Sequence, residues 1–600
     1  MDAGILVSLA LVLPFLGAIF VPLIAKTGKN AREYLAVAVG FLTAATTLLL
    51  LPMIWLNRTE ALTYAFSWVP SIGLSFSVYV DPLAIMMAAI AGTIGSLVLL
   101  YSTKYMQKST GLSRYYSLVL LFIGSMIGLV FVDNLLVLYF FWELVGLCSY
   151  ALIGFYTTDP KAASAGIKAL VITRVGDAAF LIGIVLLASG AASALGVDFW
   201  QALSIQYLLK NIASIPAGIL AIAGFCFMLG AMGKSAQVPL HVWLPDAMEA
   251  PTTISALIHA ATMVNAGVYL MARSLPLFAS VPGWTDTLMW VGGITAILAA
   301  TMAVVEPDLK RVLAYSTVSQ LGFMMFGLGL GFLGFLPATF HLMSHAVFKA
   351  LLFLGAGAVI HEVGTRNMYE MGGLRNEMKL TYATMLIGGL SLAGLVGFSG
   401  FWSKDMILET ALETKNYIPL FVLAATAVLT AAYTFRMLNL VFFEKSRRTK
   451  KVHEAPWQMT VPLIILAAGS LVSWMSIGFL TRAYESFGFP EVHAIALVNF
   501  VMETLAAQAV LISVAAFLLG IGLFYARRSF ARNAIMAKMI AVARKGYGFD
   551  MLYDEAIMLL KRFSVEFQKT HTGDLNYNTA GIAVGIIMLI ALFLNLGGGI

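Results

Sequence analysis

The sequence predicts an all-α protein that is integral to a membrane, with about sixteen transmembrane helices. Of its 600 residues, 60% are hydrophobic and 11% are charged, and a water-soluble fold of that length could not cover its surface with so few polar side chains. The apolar residues also fall into runs of roughly 20 residues, the length that a helix needs to cross about 30 Å of hydrocarbon. A small number of charges interrupts these runs, and those charges carry the functional prediction.

The apolar runs define the predicted helices in chain order. They lie at 4–24, 33–55, 83–102, 115–132, 134–157, 169–190, 215–235, 253–272, 287–305, 312–333, 337–360, 381–402, 417–442, 458–480, 502–526 and 579–598. The first run lacks a basic leader and a small-residue cleavage site, so it is predicted to be a retained helix and not a removed signal peptide.

Basic residues predict the orientation, because Lys and Arg are retained on the cytoplasmic side of a membrane. They are concentrated in the connections that follow odd-numbered helices: Lys26, Lys29 and Arg32; Lys104, Lys108 and Arg114; Lys310 and Arg311; Lys445, Arg447, Arg448, Lys450 and Lys451. Both termini are therefore expected on the outer side of a prokaryotic cytoplasmic membrane. The basic residues form no single folded patch, so the sequence does not predict nucleic-acid binding.

No sequence motif for a cofactor is present. Cys148 and Cys226 fall inside predicted helices without a Cys or His partner at metal-ligand spacing, which favours buried apolar roles. A GxGxxG turn after a strand, a Walker loop and a CxxC cluster are all absent from the sequence. The chain is predicted to bind no cofactor and no metal, and to act through ionisable side chains inside lipid.

In the first half of the chain, five such side chains stand in predicted helices. Glu143 is the one charge between Asp133 and Asp159, and Arg174 and Asp177 are three residues apart on one helix face, where they could pair. Lys234 ends a run that is uncharged from residue 211 onward, and His259 follows in the next helix.

The second half of the chain carries a comparable set. His341, His345 and Lys349 are spaced by four residues, which places them on one helical stripe that rises by ~12 Å. Lys404 and Asp405 follow an uncharged run that starts at residue 380.

Each residue also has a purely structural explanation. Arg174 and Asp177 could be a helix-pinning ion pair, His259 could be a satisfied interior residue, and Lys234 could be a lysine whose ammonium extends to the membrane surface. Taken as a set, acids, bases and histidines on consecutive helices are what a proton relay needs. Lysine suits this task because burial and a neighbouring carboxylate shift its proton affinity in opposite directions. Glu143 is the expected partner of Lys234.

Two broken helices suggest an internal repeat. Helix seven reads GAMGK and then meets Pro239 and Pro245, whereas helix twelve reads GLVGFSGFWSK. Each is an uncharged run that is interrupted by Gly or Pro, with a lysine at the break, and paired broken helices are typical of inverted-repeat transporters. We therefore expect two inverted five-helix repeats, with water reaching each lysine at the break.

Several long motifs carry a resemblance to a known family. VDPLAIMMAAIAG, FFWELVGLCSYALIGFY, TRVGD, GKSAQVPLHVWLPDAMEAPTTISALIHAATMVNAGVYL, DLKRVLAYSTVSQLGFM, FHLMSHAVFKALLFLGAGAVIH and FWSKDMIL resemble the antiporter-like L subunit of respiratory complex I and its relatives, including archaeal F(420)H(2) dehydrogenase subunit L. The resemblance is dense over residues 78–445.

The resemblance implies a role for each singled-out residue. Glu143 and Lys234 would be a coupled pair with Arg174 and Asp177 nearby, Lys404 and Asp405 would form the terminal site, and a central polar axis would comprise His259, His341, His345 and Lys349. The function implied is outward proton pumping, driven by electron transfer in partner subunits that hold the flavin and iron–sulfur centres.

The resemblance also implies a domain organisation. It comprises helices one to three (1–113), a first antiporter-like repeat (114–273), a second repeat (286–443), helices fourteen and fifteen (444–526), a cytoplasmic-side lateral amphipathic helix (527–578) and a C-terminal helix (579–600). The lateral helix would contact neighbouring antiporter-like subunits. Its connector of about fifty residues reaches at most ~75 Å as helix, shorter than is usual in the family, which favours a divergent relative with another electron donor.

Two alternatives remain. The large subunit of a Mrp-type cation/proton antiporter shares these motifs, but that subunit is normally longer and carries further C-terminal helices. A solitary solute carrier would instead need a polar pocket of hydrogen-bonding side chains at the midplane.

Overall fold

The computed structural model describes residues 2–28, 30–57, 60–69, 74–447, 451–530 and 533–568, together with residue 584. The described residues up to 540 form a bundle of α-helices with one small β-hairpin. The prediction of an all-α membrane protein is confirmed, with the hairpin as an addition that the search for apolar runs could not find.

Over its described residues, the first half of the chain contains eleven α-helices and the hairpin. In chain order they are α1 (Ala3–Ile24), α2 (Ala31–Asn57), β1 (Leu62–Val69), β2 (Leu74–Val80), α3 (Pro82–Tyr105), α4 (Leu112–Phe131), α5 (Leu135–Ile153), α6 (Pro160–Leu195), α7 (Ile205–Lys210), α8 (Ala217–Lys234), α9 (Trp243–Asp246), α10 (Thr252–Ala260) and α11 (Met263–Phe278). The two strands are antiparallel, and Val78 of β2 also bridges to Val132 after α4.

The second half contains twelve helices among the described residues. They are α12 (Trp284–Val305), α13 (Leu309–Gly329), α14 (Phe332–Val363), α15 (Lys379–Ala393), α16 (Ser399–Glu413), α17 (Tyr417–Leu438), α18 (Trp457–Val472), α19 (Ile477–Ser486), α20 (Leu497–Ala506), α21 (Gln508–Phe530), α22 (Ala534–Arg544) and α23 (Phe549–Gln568).

The predicted spans match the observed helices closely. Over the described residues, fourteen helical segments are long and apolar enough to cross a membrane. The predicted twelfth span is not among these fourteen segments, because it is divided between α15 and α16, each of 15 residues. The predicted span at 579–598 lies outside the described residues.

Local sequence explains where the helices begin. Asp81 accepts a hydrogen bond from Ala84 N at 2.9 Å and is followed by Pro82, a residue suited to the first helical position of α3. Asp308 caps α13 in the same way, accepting from Lys310 N at 2.8 Å. These caps satisfy amide groups that would otherwise lack partners at the end of a helix.

The first predicted break is present. Helix α8 ends at Lys234, and residues 235–242 are not helical. Nearly all of this segment is buried, and Trp243 donates from its indole Nε1 to Gly233 O at 3.0 Å, which satisfies a carbonyl at the end of α8. Irregular backbone at membrane depth is tolerated when protein groups satisfy it in this way.

The second break lies between α15 and α16. Gly394 ends α15 with a φ of 81°, a left-handed conformation that glycine adopts without steric cost. The sequence had suggested that Lys404 lies at the break itself. Lys404 instead lies inside α16. Its side chain nevertheless extends back to the break, where the ammonium donates to Leu392 O near the end of α15.

The innermost helices carry the buried residues His259, His341, His345 and Lys349. Helices α10, α11 and α13 are buried throughout their apolar stretch, and α3 and α14 are buried over 89% of theirs. By contrast, α1 and α21 expose most of their apolar stretch, as lipid-facing helices do. An interior with histidine and lysine surrounded by lipid-facing helices is the arrangement expected of an intramembrane ion path.

A second unit begins at residue 541, and its described part is mainly α23. This helix exposes large apolar side chains, among them Leu552, Leu559 and Phe563, and it also carries Asp554, Lys561 and Arg562. The predicted lateral helix, 527–578, is divided here between α22 and α23, and its residues 569–578 lie outside the described residues.

Candidate functional site

The first cluster surrounds Lys234, the last residue of α8. Its Nζ donates to Asp177 Oδ2 at 3.1 Å, and the side chains of Lys234 and Asp177 are 0% and 1% exposed. The other oxygen of Asp177 accepts a 2.6 Å hydrogen bond from Trp142 Nε1. The Trp142 ring also lies 5.5 Å from the ammonium, within cation–π range. A buried ammonium and a buried carboxylate are thus held together by an aromatic donor.

The expected pairing of Lys234 with Glu143 is not the observed one. Glu143 pairs with Arg174 at 2.5 Å, so the local pair suggested for Arg174 and Asp177 is also wrong. The reason is the close approach of α6 to α8 at Gly176, where an added Cβ would lie 2.6 Å from Leu229 O. That contact brings the adjacent Asp177 to Lys234 and leaves Arg174, 49% exposed, on the outer surface of α6.

The middle of the molecule contains buried histidines and a second lysine. Lys349 on α14 donates to Ser316 Oγ and to Leu313 O, the latter at 3.4 Å, and its side chain is fully buried. His259 on α10 and His345 on α14 are also fully buried, and no described protein residue bonds to either nitrogen of either ring. The His259 ring instead lies 4.5 Å from the Phe353 ring.

His341 connects α14 to α16. Its Nδ1 lies 2.9 Å from Ser403 Oγ, and its Nε2 lies 3.2 Å from Gln320 Oε1 on α13. Its ring centre is 6.3 Å from that of His345 on the next turn. Since Ser403 immediately precedes Lys404, this contact joins the histidine stripe to the second lysine.

Asp405 points away from the preceding lysine. Its Oδ1 accepts a 2.7 Å hydrogen bond from Ser513 on α21, and its Oδ2 has no partner among the described residues. The side chain lines a cavity of about 710 Å³ between α16 and the α19–α20 region. The same cavity is lined by further ionisable side chains: Glu409, Glu413, Glu491, His493 and Glu503. Asp405 thus lies between the buried interior and an acidic cavity.

A group of cations from the second half of the chain holds the segment that follows Lys234. Lys310 donates to the carbonyls of Met248 and Ala250 at 2.7 and 2.6 Å. Arg311 pairs with Asp246 at 3.0 Å. We refer to residues 235–250 as the connecting segment, because it joins Lys234 to the helix that carries His259.

Arg366, in the loop after α14, is the third of these cations. It pairs with Glu249 at 2.9 Å and with Asp308 at 3.0 Å. Burial alone would lower the pKa of Arg366, but the hydrogen bond that Arg366 donates to Glu249 and the charges of Glu249 and Asp308 raise it. The guanidinium therefore stays charged and keeps the connecting segment attached to the second half of the chain.

The structure brings the sequence-predicted residues into three groups. Glu143, Arg174, Asp177 and Lys234 form two crossed ion pairs; the middle group is His259, His345 and Lys349; and His341 leads to Lys404 and Asp405. Sequence reasoning did not find Trp142, Ser316, Gln320 and Ser403, which bond directly to these groups. They are neutral, so a search for charges within apolar runs passes over them. Trp142 and Ser403 directly precede singled-out residues, whereas Ser316 and Gln320 stand in the motif DLKRVLAYSTVSQLGFM, which contains none.

A bundle with broken helices and a row of buried ionisable side chains defines the class of antiporter-like membrane subunits. Residues 132–430 match the family described as NADH:quinone oxidoreductase/Mrp antiporter, transmembrane, and residues 66–116 match the N-terminus of NADH-ubiquinone oxidoreductase (complex I) chain 5.

Curated relatives agree. The chain is 44% identical over 483 residues to F(420)H(2) dehydrogenase subunit L of Methanosarcina mazei, and the aligned region covers 76% of this chain and 70% of the relative. It is 41% identical over 529 residues to NAD(P)H-quinone oxidoreductase chain 5 of Picosynechococcus sp., covering 80% and 77% of the two chains. The chain belongs to this family of complex I and Mrp antiporter membrane subunits.

Solved structures show the same fold. A chain of the Mrp complex from Dietzia sp. matches with a TM-score of 0.83 at 28% identity, covering 98% of this chain and 63% of that longer chain. A chain of an archaeal membrane-bound sulfane sulfur reductase matches with a TM-score of 0.71 at 26% identity, covering 83% and 99%. Relatives and structural neighbours are thus parts of multi-subunit membrane complexes.

Proposed function

We propose that this chain is the proton-translocating membrane subunit of a complex I-like oxidoreductase. Electron transfer in partner subunits would change the charge state near Glu143 and Lys234, and the relay from Lys234 through the histidines to Lys404 and Asp405 would respond by releasing a proton outward. The flavin and iron–sulfur centres would belong to the partner subunits, with no redox site in this chain.

The observation that carries this proposal is the sequence of contacts between the two lysines. Lys234 is bonded to Asp177, Lys349 to Ser316, and His341 to both Gln320 and Ser403, the neighbour of Lys404. A proton moves only between groups that are a hydrogen bond or one water apart. These hydrogen bonds between side chains provide part of a proton path without any water.

Orphaned polar atoms in the same region support water as the remainder of the path. Both ring nitrogens of His259 and His345 are buried without a described protein partner, as are Ser319 Oγ, Gln320 Nε2 and Ser344 Oγ. Buried polar groups of this kind are normally satisfied by ordered water. Water bonded to them would lie along α13 and α14, between Lys349 and His341.

The half-exposed Arg174 supports a neighbouring subunit on this face. A guanidinium that is 49% exposed on a helix flanked by exposed apolar residues such as Val171 and Val175 is costly to place against lipid. A partner helix covering it would remove that cost. The chain would thereby receive the change in charge from its neighbour at the Arg174–Glu143 pair.

The Mrp-type antiporter remains the second candidate, because the Dietzia chain covers 98% of this one at a TM-score of 0.83. The two functions differ in their energy source. Purification of the intact complex distinguishes them, since a complex I-like assembly co-purifies with flavin and iron–sulfur subunits whereas an antiporter exchanges cations without an electron donor.

The relay is tested by exchanging each lysine for arginine. Guanidinium keeps the positive charge but practically never gives up its proton. We expect that complexes with Lys234→Arg or Lys404→Arg assemble in normal amounts and pump fewer protons per electron in liposomes. Normal pumping by both assembled variants would reduce these lysines to structural anchors.

Orientation can be tested by cysteine labelling, after Cys148 and Cys226 have been replaced by serine. Lys445 and Glu60 are both exposed and lie in connections predicted to be on opposite sides. We expect Lys445→Cys to react with reagent applied at the cytoplasmic face and Glu60→Cys with reagent applied outside. The reverse pattern would invert the topology and the direction of pumping.

A further inference from the structure

Trp142 is the least expected member of the Lys234 cluster, because it is neutral and fully buried. Its indole N–H donates to one oxygen of Asp177 at 2.6 Å while the Lys234 ammonium donates to the other at 3.1 Å. An indole nitrogen can donate but not accept, so it favours the ionised carboxylate. Asp177 is thereby fixed as the group that faces the ammonium.

Gly146 provides the space in which that ammonium lies. A Cβ added at Gly146 would be 2.6 Å from Lys234 Nζ, so no larger residue fits there unless the ammonium moves. Gly146 follows Glu143 by three residues on α5, and positions three apart lie on the same helix face with a rise of ~4.5 Å. The ammonium thus lies about one turn from a second carboxylate, which is at present held by Arg174.

We propose that Trp142 and Gly146 are positioning residues that decide which carboxylate holds Lys234, an inference that rests on the relay function proposed above. The Trp142 N–H secures the pair with Asp177 as the resting state. The gap at Gly146 is the route by which the ammonium reaches Glu143 once Arg174 releases it. The four charged residues can then pair in two ways. In the structure Lys234 pairs with Asp177 and Arg174 with Glu143, and in the second arrangement Lys234 pairs with Glu143.

The first test removes the indole N–H and keeps an aromatic ring. Trp142→Phe retains a ring beside Phe180, whose ring centre lies 5.1 Å from that of Trp142. Trp284→Phe is the matched control, because Trp284 is equally buried and its Nε1 donates to Gly224 O at 2.9 Å, remote from any relay charge. We expect fewer protons per electron from the Trp142 variant and unchanged pumping from the control.

An infrared measurement adds a readout that a purely structural role would not change. Without the indole donor, part of the Asp177 population should take up a proton, which gives a carboxylic acid C=O band that disappears when Asp177→Asn is added. Unchanged stoichiometry together with the absence of this band would overturn the role of Trp142. If Lys234→Arg and Lys404→Arg both pump normally, the relay itself fails. If they do not, and Trp142→Phe pumps normally without this band, only the present inference fails.

The second test fills the gap. Gly146→Ala places a methyl group where the ammonium lies, and Gly95→Ala is its control, since the three atoms nearest to a Cβ there all belong to the apolar Ile123 side chain, with Cδ1 at 2.5 Å and Cγ1 at 2.8 Å. We expect both variants to assemble and the Gly146 variant to slow coupled pumping about tenfold relative to the control. Equal pumping by the two alanine variants would show that the ammonium does not use this space.

Discussion

Lys234 and Lys404 both lie near a break between helices, Lys234 at the end of α8 and Lys404 inside α16, and their ammonium groups are held in different ways. Lys234 is paired with the Asp177 carboxylate, which Trp142 also contacts. Lys404 forms no ion pair with a described carboxylate, and instead donates to Leu392 O and lies 5.7 Å from the Phe323 ring. Its sequence neighbour Asp405 turns toward Ser513.

The difference assigns distinct tasks to the two lysines. An ammonium opposite a buried carboxylate is stabilised in its charged form and needs a change at that carboxylate before it releases a proton. An ammonium held by a carbonyl dipole in a buried site loses less when it becomes neutral. Lys234 is thus suited to receiving a signal, and Lys404 to delivering a proton toward the acidic cavity beyond Asp405.

The largest expected effect on stability is at the paired lysine. Asp177→Asn leaves the Lys234 ammonium buried without its counter-charge, which should lower the free energy of unfolding by about 3 to 5 kcal/mol. Adding Lys234→Met removes the orphaned charge and should restore most of the loss, as measured by thermal unfolding of the purified chain in detergent. A double variant no more stable than the single one would show that the pair does not hold these helices together.

A smaller effect is expected at the unpaired lysine. Lys404→Met removes one donor from Leu392 O and should cost about 1 to 3 kcal/mol in the same measurement. Asp405→Asn added to it should change stability little, because Asp405 is not the partner of Lys404. The opposite result is that Asp405→Asn restores the stability that Lys404→Met removes, in the way that Lys234→Met is expected to compensate Asp177→Asn. That result would show that both lysines are held by a carboxylate, which contradicts the difference described here.

The smallest effect concerns the link between the histidine stripe and Lys404. Ser403→Ala removes the hydroxyl 2.9 Å from His341 Nδ1, with an expected stability loss of about 0.5 to 1.5 kcal/mol. Proton pumping should fall by more than this loss suggests, because the contact lies on the relay. Ser470→Ala is the control, since that buried hydroxyl bonds only within its own helix, to Leu466 O at 2.9 Å. Equal pumping by the two variants would remove Ser403 from the path.

Much of the fold could be predicted from sequence because the membrane imposes a simple length rule on apolar helices. The hairpin of β1 and β2 was missed because its strands mix polar and apolar residues and contain no long apolar run. The break between α10 and α11, after His259, was missed as well, because neither Gly nor Pro marks it. Apolar length identifies a span and gives no information on interruptions without these residues.

The candidate residues were predictable but their partners were not. Sequence spacing suggested a local Arg174–Asp177 pair, whereas the partner of each residue is set by which neighbouring helix approaches α6. Gly176 permits the approach of α8, and that contact decides that Asp177 faces Lys234. Which side chains form ion pairs between two helices depends on the small residues where those helices cross. The spacing of residues within one helix does not show where it crosses its neighbours.

The cations that hold the connecting segment have a consequence for biosynthesis. Lys310 and Arg366 bond to Met248 O, and Arg366 lies 118 residues further along the chain. At about 5 to 20 residues per second, a ribosome needs roughly 6 to 24 s to make that distance. Throughout this interval Met248 O and Glu249 lack the contacts that Arg366 makes in the folded chain, although Lys310 is already made after 62 residues. The fold of the first half is therefore completed only after the second half has been made, and a chain truncated before Arg366 should be cleaved more readily in the connecting segment.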